Sequence, residues 1–286
     1  MTSPDSSRPA PGPDPNLVPA NLPPGTQWQR LVFTAEPAAG RRVLLEGPGP
    51  VPRRAVVLEG DGVADLELLT VPWTDGVAGE AARPGWLGDW MEAGAARPGV
   101  VTLLLTLQGA QILWRPGRAV LLAPADRLDL ARRALVEFAL VEGELRQLEE
   151  ELGGGWAGLE ADAPLAFEFD ERAAGRRAEL GRRFQQAIRA RARVARLLPQ
   201  VQRPAVYPPT LATQVAERLR ERTRLAERAD FLGGQLDLFE RVYELCGHRS
   251  SEFALSRKSL TLEWVIIVLL AVQTLLVVID MLSNLE

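Results

Sequence analysis

WVIIVLLAVQTLLVVI, residues Trp264–Ile279, holds sixteen residues of which only Gln273 and Thr274 are polar. At a rise of about 1.5 Å per residue it reaches roughly 24 Å, or about 29 Å if extended to Leu282 past Asp280, against a hydrocarbon core of about 30 Å. A core helix is rarely apolar all round, and β-branched residues dominate this one. The stretch is therefore read as a single transmembrane helix, its anchor residues being Trp264, Val265, Ile266, Ile267, Val268, Leu269, Leu270, Gln273 and Ile279. Trp264 sits where an interfacial aromatic belongs. Arg257 and Lys258 precede the helix and no basic residue follows it, so they form a cytoplasmic basic flank. The expectation is a single-pass protein of the cell membrane with its N-terminal portion in the cytoplasm.

Working outward, residues 249–286 read as a basic linker followed by the anchor, and residues 170–248 as a helical hairpin. One predicted helix, Glu171–Leu198, places Ala173, Leu180, Phe184, Ala187, Val194 and Leu198 at near-heptad spacing, and Pro199 and Pro204 are expected to break it. The other begins at Thr210, a predicted N-cap, and runs to about Gly247. Leu225, Leu232, Phe239 and Cys246 fall at one heptad position, with Ala229, Leu236 and Tyr243 at the other. An antiparallel, coiled-coil-like pair follows.

Residues 26–169 read as an α+β domain. Short apolar runs at Leu31–Thr34, Arg42–Leu45, Ala55–Glu59 and Leu66–Val71 alternate with Gly, Pro and Asp clusters, the signature of strands and turns. Val100–Leu107 is predicted as a strand buried on both faces, with hairpin returns at Gly109-Ala110 and Pro116-Gly117. A short helix is expected within Glu80–Ala96. A long helix is expected over Asp126–Leu152, stopped by Gly153-Gly154-Gly155. Residues 1–25 carry eight prolines and no apolar run. They are expected to be a disordered tail and not a secretory signal.

Net charge is −4, so the molecule as a whole is not of the nucleic-acid-binding type. Lys258 is the only lysine among 33 basic residues, a bias that fits a GC-rich, bacterial coding sequence. Charge is segregated: residues 124–170 hold twelve Asp or Glu against four Arg, and residues 171–198 hold nine Arg against two Glu. Arg182, Arg183, Arg189 and Arg193 form a candidate basic patch for RNA or anionic headgroups. The competing reading pairs them with Glu149, Glu150 and Glu151. One cysteine, Cys246, and one histidine, His248, exclude a disulfide framework and a Cys-rich metal site. No P-loop, G-x-S-x-G or H-E-x-x-H occurs. The chain is read as non-enzymatic, with no catalytic residue, no metal and no cofactor. Its expected partners are the membrane and a protein, or a second copy held through the hairpin, with nucleic acid as the alternative.

The order of parts ending in Leu262-Glu263-Trp264-Val265-Ile266-Ile267-Val268-Leu269-Leu270-Ala271, preceded by the Ser-rich basic stretch Arg249–Ser259, resembles the family named required for meiotic nuclear division. The match is specific over about Phe239–Leu282. Gln273 stands near where members of that family carry a glutamate. The resemblance implies a membrane-anchored, non-enzymatic protein, whose eukaryotic relatives sit in mitochondrial membranes and support translation.

Overall fold

The computed structural model describes residues 24–37, 40–47, 53–59, 62–73, 86–93, 101–168, 171–203 and 209–283, with the backbone alone at 171, 172 and 278–283. The predicted Pro-rich tail lies outside these residues up to Pro23, as do Pro204 and Pro208.

The fold is α+β, with a seven-stranded sheet followed by long helices. The strands are β1 (Gln27–Thr34), β2 (Val43–Glu46), β3 (Arg54–Val57), β4 (Leu66–Trp73), β5 (Leu103–Leu107), β6 (Ala110–Arg115) and β7 (Arg118–Pro124). The helices are α1 (Trp86–Ala93), α2 (Ala125–Asp162), α3 (Glu171–Ala174), α4 (Arg177–Val201), α5 (Leu211–Arg222) and α6 (Leu225–Ser283), with a 3-10 turn at Ala163–Ala166. Sheet order is β2-β3-β1-β4-β7-β6-β5. Every pairing is antiparallel except β4 with β7.

Two-residue loops set the β5-β6-β7 meander. Gln108 and Gly109 both take positive φ, 46° and 82°, as a primed hairpin turn requires. Gly117, at φ 82°, follows Pro116 in the second loop, where the turn needs one left-handed residue. Every residue of β6 is buried, and all of β7 but its last. On one face Leu69, Val71, Leu113, Val120 and Leu122 pack with Leu87, Trp90 and Met91 of α1. From the other, Trp114 meets Phe138 of α2 edge to face at 4.9 Å. The C-terminal carbonyls of α1, which no intrahelical N–H can reach, are met by buried arginines. Arg118 donates to Trp90 O at 2.5 Å, stacks over the Trp90 ring at 4.8 Å and pairs with Glu67 at 2.7 Å. Arg115 reaches Met91 O at 3.5 Å.

Several expectations require correction. The apolar run before Gly109 forms β5 at the sheet edge, with Leu104 37% exposed and Leu105 buried. A continuous apolar run does not distinguish a central strand from an edge strand that is partly covered, and β6 and β7 take the centre. Gly153–Gly155 does not stop α2, which continues to Asp162. Close packing overrides the propensity penalty there: a Cβ on Gly155 would stand 3.0 Å from the Phe239 ring, and one on Gly158 would stand 3.0 Å from the Arg183 guanidinium. Pro199 lies inside the last turn of α4 rather than ending it. The helix begun at Thr210 stops at Arg222; Arg224, at φ 50°, makes the break, and α6 starts at Leu225. Thr210 is the N-cap of α5, its hydroxyl accepting from Thr213 N in a capping box. The expected linker around Arg249–Ser259 is helical, since α6 runs through it to Ser283.

The chain divides into two compact units, one of Met1–Gln147 with Ala195–Asp230, the other of Leu148–Val194 with Phe231–Glu286. This differs from a sequential division because α2, α4 and α6 are each long enough to contribute to both.

The glycine run Gly153–Gly155 within α2 makes a test. Gly154 has nothing within 4 Å of an added Cβ, so Gly154→Ala should raise stability by about 0.5–1 kcal/mol through helix propensity alone. Gly155→Ala should lose that gain against the Phe239 ring, which Trp156 holds edge to face at 5.1 Å. Chemical denaturation of the two variants reads the difference.

Candidate membrane-contacting site

In the second unit the heptad stripe of α6 is buried at Leu232, Leu236, Phe239, Tyr243 and Cys246. Contacts run in opposite order along α4 and α6. Arg191 donates to Gly233 O at 2.8 Å and pairs with Asp237 at 2.7 Å, while Arg183, earlier in α4, acts electrostatically on the Tyr243 hydroxyl, later in α6. The end of α2 joins them: Arg193 pairs with Glu151 at 2.7 Å, and the Cys246 thiol lies 3.6 Å from Asp162 O. The unit is thus built from three helices where the sequence reading expected two.

Past Ser250 the burial ends. Trp264, Val265, Ile266, Ile267, Val268, Leu269 and Leu270 are all between 49% and 67% exposed, and Gln273 is exposed too. Ile279 belongs to the same helix, its side chain outside the described residues. The most apolar eighteen-residue window of α6 has a mean hydropathy of 2.3 and is 0% buried. Among the described residues, one helix is therefore long and apolar enough to cross a membrane, and in that window its exposed surface is mostly apolar. Its hydroxyls are internally satisfied: Thr274 donates to Leu270 O at 2.8 Å and Thr261 to Arg257 O at 2.9 Å. Arg257 and Lys258 stand exposed on the turn and a half before Trp264.

The four candidate patch arginines do not share one environment. Arg182 and Arg189 are exposed. Arg193 holds Glu151. Arg183 belongs to an ion network around Asp162, whose side chain is wholly buried. Both Arg183 and Arg176 donate to that carboxylate, Arg176 at 2.6 Å, and both also pair with Glu179, at 2.6 and 3.1 Å. The Arg176 hydrogen bond holds Glu179 below the usual carboxylate range. Burial, then the Asp162 charge, pushes the Cys246 thiol up; burial likewise raises Tyr243. Sequence reasoning missed this network, because nothing local separates Asp162 from the other 36 acidic residues; only its place at the end of α2 gives it two arginines. Among the described residues, no group of three or more His, Cys, Asp or Glu could hold a metal ion.

Asp162→Ala should destabilise the protein by about 2 kcal/mol, at the low side for a buried pair because both arginines keep Glu179 and partial hydration. Thermal melts of the variant and the wild type give the number. The Cys246 and Tyr243 shifts predict a pH limit. Both groups have folded values raised above their ordinary 9.0 and 10.0, so the stability they contribute is full below pH 9 and falls as pH climbs through the raised values. Native protein should resist alkylation at Cys246, and the thiol should become reactive only on unfolding or at strongly alkaline pH.

No family model and no curated protein matches this chain. Among solved structures it is similar to the "structure of the full-length CmaX protein", with 15% identity over 82% of this chain and 79% of that one, at a TM-score of 0.32. A likeness at that level carries no argument about fold or function.

Proposed function

We infer that this chain is a membrane-anchored, non-enzymatic scaffold, held by α6 as a single-pass anchor of the cell membrane with its folded portion on the cytoplasmic side. The observation that carries this reading is the continuity of α6. The helix that contributes Leu232, Leu236 and Phe239 to a packed core runs without a break into eighteen residues whose apolar surface no described residue covers. Apolar surface contributes about 25 cal/mol per Å² when removed from water, so an uncovered helix of this composition partitions strongly into hydrocarbon. The placement of Arg257 and Lys258 sets the orientation. The resemblance to the required-for-meiotic-nuclear-division family supports the same reading. The partner is a protein or a second copy, engaged through the coiled-coil-like helices. An RNA tether using the arginine-rich helix is the weaker reading, because Arg183 and Arg193 are committed to carboxylates and only Arg182 and Arg189 of the four stand exposed.

The full-length protein should sediment with membranes and stay there through an alkaline carbonate wash. Deleting residues from Leu260 onward should release a soluble protein whose helical circular dichroism persists, since the buried stripe of α6 ends at Ser250. Full-length protein in the wash supernatant would overturn the reading.

A further inference from the structure

The first unit holds a cleft of about 220 Å³ among α2, α5, the end of α4 and the start of α6. Phe138 of α2 and Leu225 of α6, both buried, give it an apolar wall. Alanines at 134, 212 and 216 line it as well, short side chains that leave the space open. Voids in close-packed interiors seldom exceed a water molecule, so this volume is on the scale of a small ligand. Charge converges on the same place. Among the described residues the lining carries Arg133, Arg203 and Arg220 against Glu137 and Glu217, an excess of one positive charge. Arg203 takes Glu137 at 3.0 Å. Arg220 is half-buried, yet among the described residues its guanidinium makes no hydrogen bond and no ion pair; Glu217 and Glu137 act on it only at longer range. Burial, and then the charge of Arg203, holds that guanidinium below the ordinary arginine value. Residues 204–208, which join α4 to α5, include no Asp or Glu that could serve it. A cation kept partly out of water beside a second cation is unfavourable until an anion joins it. Arg133, Arg203 and Glu217 are exposed, so solvent reaches the cleft.

We propose that this cleft binds a small organic monocarboxylate, with its carboxylate on Arg220 and its apolar body against Phe138 and Leu225. Three features select that chemistry. One excess positive charge matches one carboxylate and falls short of a phosphate dianion. The paired donors of a guanidinium match the two oxygens of a carboxylate. The apolar wall gives a hydrocarbon or aromatic body surface to cover, and offers nothing to an inorganic anion. The site does not depend on the anchor, because every lining residue belongs to the first unit and α6 contributes only its first residue.

The test is a titration of the full chain, in uncharged detergent, with benzoate and with benzamide, its neutral isostere. Wild type should bind benzoate, and benzamide about tenfold more weakly, the factor for losing a charge-assisted hydrogen bond. Arg220→Gln should lower benzoate affinity by about the same factor, with a melting temperature equal to wild type or higher, because the cation it removes has no partner in the free protein. Ala216→Leu should fill the cleft and block benzoate while leaving every charge in place. Glu137→Gln releases Arg203 and should tighten benzoate binding, a change that a merely structural role for the Glu137 pair would not produce. No binding of benzoate by wild type, equal affinity for benzamide, or undiminished benzoate binding by Arg220→Gln would each overturn the proposal. Inorganic phosphate bound as tightly as benzoate, and still bound by Ala216→Leu, would assign the arginines to a free anion, and the carboxylate assignment falls.

Discussion

A carboxylate removed entirely from water has to be matched by charge and by hydrogen bonds, and Asp162 meets that requirement through two arginines that begin the next long helix. The match fixes more than one side chain. Asp162 ends α2, Arg176 and Arg183 lie seven residues apart about the start of α4, and the Asp162 carbonyl is 3.6 Å from the Cys246 thiol of α6. Three helices are thereby set in register at one level. The hydrophobic stripes alone would tolerate sliding by a heptad, because Ala173, Leu180, Ala187 and Val194 repeat every seven residues. A buried ion pair contributes little net stability over a hydrophobic substitute, but it penalises every register in which the carboxylate is left alone. Gly158 serves the same fit, since a side chain there would press on the Arg183 guanidinium.

That register determines where α6 leaves its partners. A helix satisfies its backbone internally, so it passes from a packed unit to an uncovered stretch with no change in hydrogen bonding. Only its surface changes. As far as Cys246 it carries one apolar stripe, around Arg257 and Lys258 it carries cations on the same face, and from Trp264 it is apolar all round. Had residues 249–259 been a flexible linker, the basic residues would sample many distances from the anchor. On a continuous helix their distance from Trp264 is set to within a turn.

The stripe positions of α6, the Thr210 cap, the strands β1 to β4 and the apolar C-terminal helix were all legible in the sequence, because each is written in a local period, an apolar run or a local cap. The errors have a common physical origin. Gly153–Gly155 reads as a helix stop by propensity, yet α2 continues through it, and of the three only Gly155 lies against the Phe239 ring. The apolar run of β5 was read as central, yet an edge strand can be equally apolar when α5 lies against it, as the Gln108 to Gln214 hydrogen bond at 3.1 Å shows. The break at Arg224 has no Gly or Pro to announce it; a non-glycine residue at φ 50° is held by what surrounds it. The bonds of Asp162 to Arg176 and Arg183 are non-local, joining residues 14 and 21 apart in the chain, and no sequence period encodes them.

Charge at the foot of the anchor follows from the same accounting. The chain is net negative, −4, and an anionic membrane surface repels it as a whole. Screening limits that repulsion to charges within about 8 Å at physiological ionic strength, so only residues close to the interface decide the sign. Much of the positive charge in and just before α4 is neutralised by carboxylates, Arg176 and Arg183 by Asp162 and Glu179, Arg191 by Asp237, Arg193 by Glu151. Nearest the apolar segment on α6 itself are Arg257 and Lys258, both exposed. Two cations thus sit within two turns of the apolar segment of a chain that is acidic as a whole.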